Sequence, residues 1–311
     1  MKIKTDKDRW GIIYVPRAGV TNAQKRWIQI REYLELRGVS YDYVQSEGVG
    51  SIERLTHMLI ENGYRTIVLV GGDEAMNDVV NGIMFTDPEI REKVVLGLVP
   101  NGIGNDFADF WGLESDKYKQ AIHAIIARNI KKIDVGYCSY SEQGIAKTRY
   151  FLMAMNLGLA ARAIHLSDRC RRFGKYNPAY LFAMFSLFKE RKQYKMRLRV
   201  NNEEISEKIM TVCVGNSRGY GLTPSAVPYN GWLDVSVVFR PQLMQMVKGL
   251  RMLLHSQILN HEQVKPYRTK EVEIIDAAAG AEMCLDGRFV TPSYPLSVSL
   301  EPAAINFIIP S

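Results

Sequence analysis

No apolar run in this chain of 311 residues reaches the ~20 residues that a helix needs to cross a bilayer; the longest is Pro178 to Phe188. A helical membrane span is therefore not expected. Cysteine is scarce, and Cys138, Cys170, Cys213 and Cys284 lie far apart without any C-x-x-C spacing. That spacing argues against a disulfide framework and against a zinc site, and all four thiols read as reduced and packed in cores. Met1 to Asp8 mix Lys and Asp with no apolar centre, so they match neither a secretory signal nor a transit peptide, and the expected location is cytoplasmic. Internal repeats and low-complexity segments are also missing. What remains is a globular composition, 47% hydrophobic and 23% charged, in a chain long enough for two domains.

The positive charge is unevenly placed. Of a net +7, the stretch from Arg162 to Arg199 alone carries +9, eleven Lys or Arg against Asp168 and Glu190, so the rest of the chain is weakly acidic. This stretch surrounds the aromatic run Tyr180 to Phe185. Bases that attract headgroups beside aromatics that enter an interface suit peripheral contact with an anionic inner membrane surface, with Arg171, Arg172 and Lys175 as contacts. A buried helix flanked by solvated charges fits the same residues. Nucleic acid would want a similar patch and is not expected as a partner.

Short apolar runs bounded by Gly and Pro alternate with helical spacing in the first third. Strands are expected at Gly11 to Val15, Tyr41 to Val44, Thr66 to Val70 and Val94 to Val99. Helices are expected over Asn22 to Leu36, Ile52 to Ile60, Ala75 to Met84 and Lys117 to Ile126. This pattern predicts a doubly wound α/β domain over 1–131, its parallel sheet covered on both faces and its ligand site at the carboxyl ends of the strands. From Ile133 onward strand-like segments follow one another, at Tyr150 to Asn156, Lys195 to Val200, Ile209 to Val214, Leu233 to Phe239, Val272 to Ile275 and Leu296 to Leu300. They predict an antiparallel, β-rich domain over 132–300.

Two turns carry the chemistry. Val70-Gly71-Gly72-Asp73 closes a buried strand, and the next helix aims its first N–H groups back at the turn. The glycines let a phosphate approach the main chain, and the helix N-terminus favours its charge. One strand later Val99-Pro100-Asn101-Gly102-Ile103-Gly104-Asn105-Asp106 repeats the arrangement, with Asp106 placed to cap the following helix. Neither is a G-x-x-x-x-G-K-[ST] loop nor a G-x-G-x-x-G fingerprint. Asp73 reads either as a group acting at the phosphates or as a cap of its own helix.

Gly71-Gly72-Asp73 with Asn77-Asp78-Val79-Val80-Asn81-Gly82 resembles the nucleotide loop and helix of the diacylglycerol kinase and sphingosine kinase family of lipid kinases. Pro16-Arg17-Ala18-Gly19 resembles the first phosphate-side loop of that family, Ser46-Glu47-Gly48 its segment after the second strand, and Gly104-Asn105-Asp106 its GTGND segment. Gly215-Asn216, Pro224 to Val235 and Asp286-Gly287 follow in family order. The resemblance implies ATP and Mg²⁺ as cofactors, a sandwich-like second domain, return of 301–311 to the first domain, and a diacylglycerol-like or sphingoid lipid as acceptor. Nucleotide contacts are then expected at Pro16, Gly19, Ser46, Gly71, Gly72, Asp73, Glu74, Asn77, Gly102, Ile103, Gly104, Asn105 and Asp106.

The departures are concentrated. Glu74 and Ala75 replace Gly-Thr in the loop, Ile103 replaces the Thr of GTGND, and Asn230-Gly231-Trp232 stands where the family's metal-site run begins with Asp. Arg288 replaces the Glu at the general-base position, and a guanidinium stays protonated. A lost general base typically lowers rate by ~10²–10⁴. Three readings follow: a lipid kinase centred on Asp73, with activity weakened; a non-catalytic relative that binds nucleotide or lipid and acts through partners; and an NAD kinase, which uses a similar loop and is disfavoured by the second-domain matches.

Overall fold

The computed structural model describes residues 9–16, 23–48, 50–102, 105–114, 116–170, 192–218, 221–239 and 243–310. The chain divides into two compact units, Met1–Ile133 with Ala303–Ser311, and Asp134–Pro302.

In the first unit β1 (Trp10–Tyr14), α1 (Ala23–Leu36), β2 (Tyr41–Gln45), α2 (Ser51–Glu61), β3 (Thr66–Gly71) and α3 (Asp73–Met84) alternate strictly. They are followed by a single turn, α4 (Pro88–Arg91), then β4 (Val95–Pro100), α5 (Asp106–Phe110) and α6 (Tyr118–Ala127). The strands pair in parallel in the order β2-β1-β3-β4. Both central strands, β3 and β4, are buried along their whole length, as a parallel sheet covered on two faces requires. Two glycines mark those faces. A Cβ on Gly11 would meet Leu59 of α2 at 3.3 Å, whereas one on Gly97 would meet Ile125 of α6 at 3.0 Å. Gly11 aligns with Ile67 and Gly97 with Val68, so successive residues of β3 point to opposite helical layers. Gly82 is where α2 and α3 approach most closely, since a Cβ there would stand 2.7 Å from Thr56 and 2.8 Å from the Glu53 carbonyl. The chain's tail adds a fifth parallel strand, Asn306 and Phe307 aligning with Val95 and Leu96.

The second unit is antiparallel. Its elements are β5 (Ile130–Glu142), β6 (Ile145–Phe151), β7 (Ala154–Gly158), α7 (Leu159–Cys170), β8 (Tyr194–Val200), β9 (Glu203–Ile209), β10 (Thr211–Gly215) and β11 (Leu233–Val238). After these come α8 (Leu243–Leu254), β12 (Val264–Thr269), β13 (Glu271–Ala277), β14 (Met283–Leu285), β15 (Arg288–Val290) and β16 (Ser293–Ile308). Strands β16, β13, β8 and β9 pair in that order, with buried and exposed residues alternating along β8. A six-stranded sheet runs β12-β11-β10-β7-β14-β15. Leu198, Val200, Val272 and Ile274 of the former meet Met155, Leu157, Val212, Val214 and Leu285 of the latter in one apolar core. The other face of the six-stranded sheet is covered by α7 and α8, through Leu159, Ala160, Ala163 and Leu253. This is a β-sandwich with a helical outer layer on one side.

Candidate functional site

The two glycine-rich turns lie side by side at the carboxyl edge of the parallel sheet, where Gly71 aligns with Pro100 and the Asn101 N–H donates to the Gly71 carbonyl at 2.8 Å. Gly72 is the extended N-cap of α3 and supplies no side chain to its first amides. Asp73 occupies the first position of α3, one past the N-cap Gly72. Its carboxylate accepts from the N–H of Asp106 at 2.8 Å and from that of Phe107 at 3.3 Å, so it caps α5. Asn105, rather than Asp106, holds the N-cap position of α5. Its side chain closes its own loop, accepting from Gly102 N–H at 3.2 Å and donating to Gly102 C=O at 2.7 Å. The second turn is thus closed by Asn105 and tied to the first by Asp73.

Behind the loop, Asn77 and Asn81 stand one turn apart on α3, both fully buried, with the Asn81 amide donating to the Asn77 carbonyl at 2.8 Å. The Asn-x-x-x-Asn spacing places both amides on one buried face of α3. Glu74 is half-buried beside Asp73. Pro16 forms the turn after β1, and Ser46 is buried just beyond β2, its N–H donating to the Tyr14 carbonyl at 2.9 Å. Gly19, Ile103 and Gly104 lie outside the described residues, as do Arg171, Arg172 and Lys175.

In the sandwich the Asp286-Gly287 pair is a two-residue hairpin between β14 and β15, with φ of +47° and +85°. Such a turn needs left-handed backbone at both positions, which Asp tolerates and Gly adopts freely. Asp286 is buried, and its carboxylate accepts three backbone N–H groups, Leu152 at 2.6 Å, Met153 at 3.0 Å and Ala154 at 2.9 Å. Asn216 takes carbonyls of the same region, its amide donating to Leu152 at 3.0 Å and to Asp134 at 2.9 Å. Asp134, a buried carboxylate in the apolar run Ile133-Asp134-Val135, accepts the Gly231 N–H at 2.7 Å. Sequence reasoning passed over Asp134; a lone acid in an apolar strand was the available signal. Asn230 closes the same loop by accepting the Trp232 N–H at 2.9 Å, and the Trp232 ring is exposed, with Lys270 over it at 5.3 Å. Asp234 is held by Ser225 at 2.6 Å and by Arg268 at 2.9 Å, and this pairing raises the Arg268 pKa. Arg288, half-buried, begins β15.

The residues at the turns fit a polyphosphate by backbone rather than by cationic side chains. Gly71 and Gly72 precede the twelve-residue α3, and its N-cap Gly72 brings no side chain to the first amides. Among the described residues no group of three or more His, Cys, Asp or Glu could hold a metal ion. Mg²⁺ that arrives with phosphate oxygens needs only one or two carboxylates, and Asp73 and Glu74 are the acids at this turn.

Taken together, the fold and these turns define a class: an α/β unit with glycine turns at the carboxyl edge of a parallel sheet, joined to an antiparallel sandwich unit. Residues 9–138 match the diacylglycerol kinase catalytic domain, and residues 154–309 match the YegS C-terminal NAD kinase beta sandwich-like domain. A diacylglycerol kinase of Mycobacterium tuberculosis (strain CDC 1551 / Oshkosh) is 25% identical over 285 residues, covering 89% of this chain and 87% of its own. A diacylglycerol kinase of Staphylococcus saprophyticus is 22% identical over 290 residues, covering 91% and 90%. The crystal structure of a diacylglycerol kinase from Bacillus anthracis str. Sterne superposes with a TM-score of 0.70 over 98% of both chains at 17% identity. The chain belongs to the diacylglycerol kinase family of lipid kinases.

Proposed function

We propose that this chain binds ATP with Mg²⁺ at the paired glycine turns and transfers the γ-phosphoryl group to the hydroxyl of a diacylglycerol-like or sphingoid lipid, at a rate well below that of an intact family site. The observation that carries the reading is the Asp73 carboxylate, which ties the two turns into one rigid edge beside the N-terminus of α3. Phosphoryl transfer depends mostly on positioning and charge stabilisation, so such an edge can support turnover without a strong base. The reduced rate follows from the residues themselves. Glu74 adds negative charge beside the phosphates, Ile103 has no hydroxyl, and Arg288 cannot accept a proton.

The test is transfer of labelled phosphate from ATP across a panel of lipid acceptors, with and without Mg²⁺. Slow, Mg²⁺-dependent labelling of one acceptor class, reduced further by Asp73→Asn, supports the reading. Labelling of no acceptor, with ATP binding intact, supports the non-catalytic relative; labelling of NAD supports the third reading. The basic stretch from Arg162 to Arg199 would serve this reaction by holding the protein at an anionic surface. Sedimentation with phosphatidylserine vesicles should then be strong at 0.01 M salt and weaken at 0.1 M, as the Debye length shrinks from ~30 to ~10 Å. Binding indifferent both to salt and to replacement of Arg171, Arg172 and Lys175 by Ala would remove that role.

A further inference from the structure

At the carboxyl edge of the parallel sheet, Asn101 is fully buried, and neither its Nδ2 nor its Oδ1 has a hydrogen-bond partner. Its backbone is nevertheless fixed, because its N–H is bonded to Gly71 and the following Gly102 is held at both N–H and C=O by Asn105. A carboxamide is thus locked at the place where the two turns meet, with its donor and its acceptor both unused. Tyr14 presents a second unpaired buried group, its hydroxyl, on the same face. Tyr14 aligns with Val70 and Val70 with Val99, and alternation carries that face on to Asn101. Native proteins pair nearly all such groups, and the exceptions concentrate where a water, an ion or a ligand completes them.

We propose that Asn101 is a specificity-determining residue that reads the nucleoside part of the bound nucleotide, an inference that rests on the nucleotide reading above. The chemistry of the amide selects the partner. Phosphate oxygens only accept, so they would satisfy Nδ2 and leave Oδ1 bare. A ribose hydroxyl, or the edge of adenine, carries a donor beside an acceptor and closes both. A buried amide without a partner lowers stability, and a bound nucleoside that pairs it relieves that cost.

The experiment measures calorimetric binding of Mg²⁺ with ATP and Mg²⁺ with inorganic tripolyphosphate, together with the melting temperature of the free protein. It compares wild type, Asn101→Leu and Asn101→Asp. Asn101→Leu should raise the melting temperature of the free protein, by about 2–4 °C, while weakening ATP at least tenfold and leaving tripolyphosphate within twofold. Asn101→Asp keeps the size but loses the donor and adds a negative charge beside the phosphates, so it should weaken both ligands, ATP more than tripolyphosphate. 2′-Deoxy-ATP and ITP separate the two sources, since the analogue lacking the paired group should lose affinity on wild type and nothing more on Asn101→Leu. A lowered melting temperature with unchanged ATP affinity would overturn the proposal and make Asn101 a structural amide on a buried water. So would equal loss of both ligands on Asn101→Leu. Wild type that binds neither ATP nor tripolyphosphate would overturn the nucleotide reading itself.

Discussion

In the parallel-sheet unit, Asp73 reaches across the chain from a half-buried position to hold two amides of α5. In the sandwich, Asp286 reaches from full burial to hold three amides between β6 and β7. Both aspartates stand in family motifs beside a glycine, and both spend their carboxylates on backbone of a distant segment. The difference is commitment. Asp286 is enclosed, positioned by a left-handed turn and surrounded by Asn216 and Asp134 in one buried polar network. Asp73 sits at the edge of a sheet, on a helix whose N-cap is a glycine. A motif aspartate can thus carry the fold in one unit while the same kind of contact leaves the other unit's edge suited to an anion.

Breaking the enclosed tie should have the larger effect. Asp286→Ala leaves three buried amides without an acceptor, in a turn that also disfavours Ala, and should cost roughly 3–5 kcal/mol in urea unfolding of the sandwich. Asp286→Asn keeps a residue suited to left-handed backbone and one acceptor oxygen, and should lose about half as much. If both variants unfold as wild type does, the carboxylate is not the anchor. Asp73→Ala should cost only ~1–2 kcal/mol, the usual loss of a helix cap. A loss as large as that of Asp286→Ala would erase the contrast between the two units.

A smaller effect depends on pH. Burial pushes the Cys138 and Cys213 thiols up to about 12. A group whose folded pKa is raised binds its proton more tightly when folded, so stability is full below the unfolded value near 9 and falls as pH climbs from there toward 12. At pH 8.5 alkylation mapped by mass spectrometry should spare both thiols in the folded protein and modify them in urea. Rapid labelling of Cys213 in the folded state would mean that the layer of α7 and α8 opens over the sheet.

Much of the first unit was legible because its strands are continuous apolar runs between glycines. Thr66 to Val70 and Val94 to Val99 were read to within a residue of β3 and β4. The sandwich was read as β-rich but with several boundaries merged. Tyr150 to Asn156 looked like one strand, yet it breaks at Leu152 and Met153, where Asp286 withdraws the amides from the ladder. That break depends on a residue more than 130 positions away, which no local pattern reveals. β9 was missed because Glu203–Ile209 is mostly charged and exposed. Helices α7 and α8 were missed within a stretch dominated by strand signals. At the site, the two turns were evident from Gly, Pro and Asp spacing. The destination of Asp73 was not, since a cap on the next helix and a cap on its own look identical in sequence.

On the proposed function, the family reaction is weakened at the replaced positions while the scaffold that positions ATP persists. The most direct measurement of this is ATP-dependent lipid phosphorylation by wild type beside a variant carrying Glu74→Gly, Ile103→Thr, Asn230→Asp and Arg288→Glu together. Groups that act as a unit are strongly non-additive, so each single change should do little. The combined variant should phosphorylate lipid faster by orders of magnitude, the restored base contributing ~10²–10⁴ of it. Robust turnover by the unmodified protein, abolished by Asp73→Asn and unimproved by the four changes, would contradict the account and establish a fully active kinase with a rearranged site.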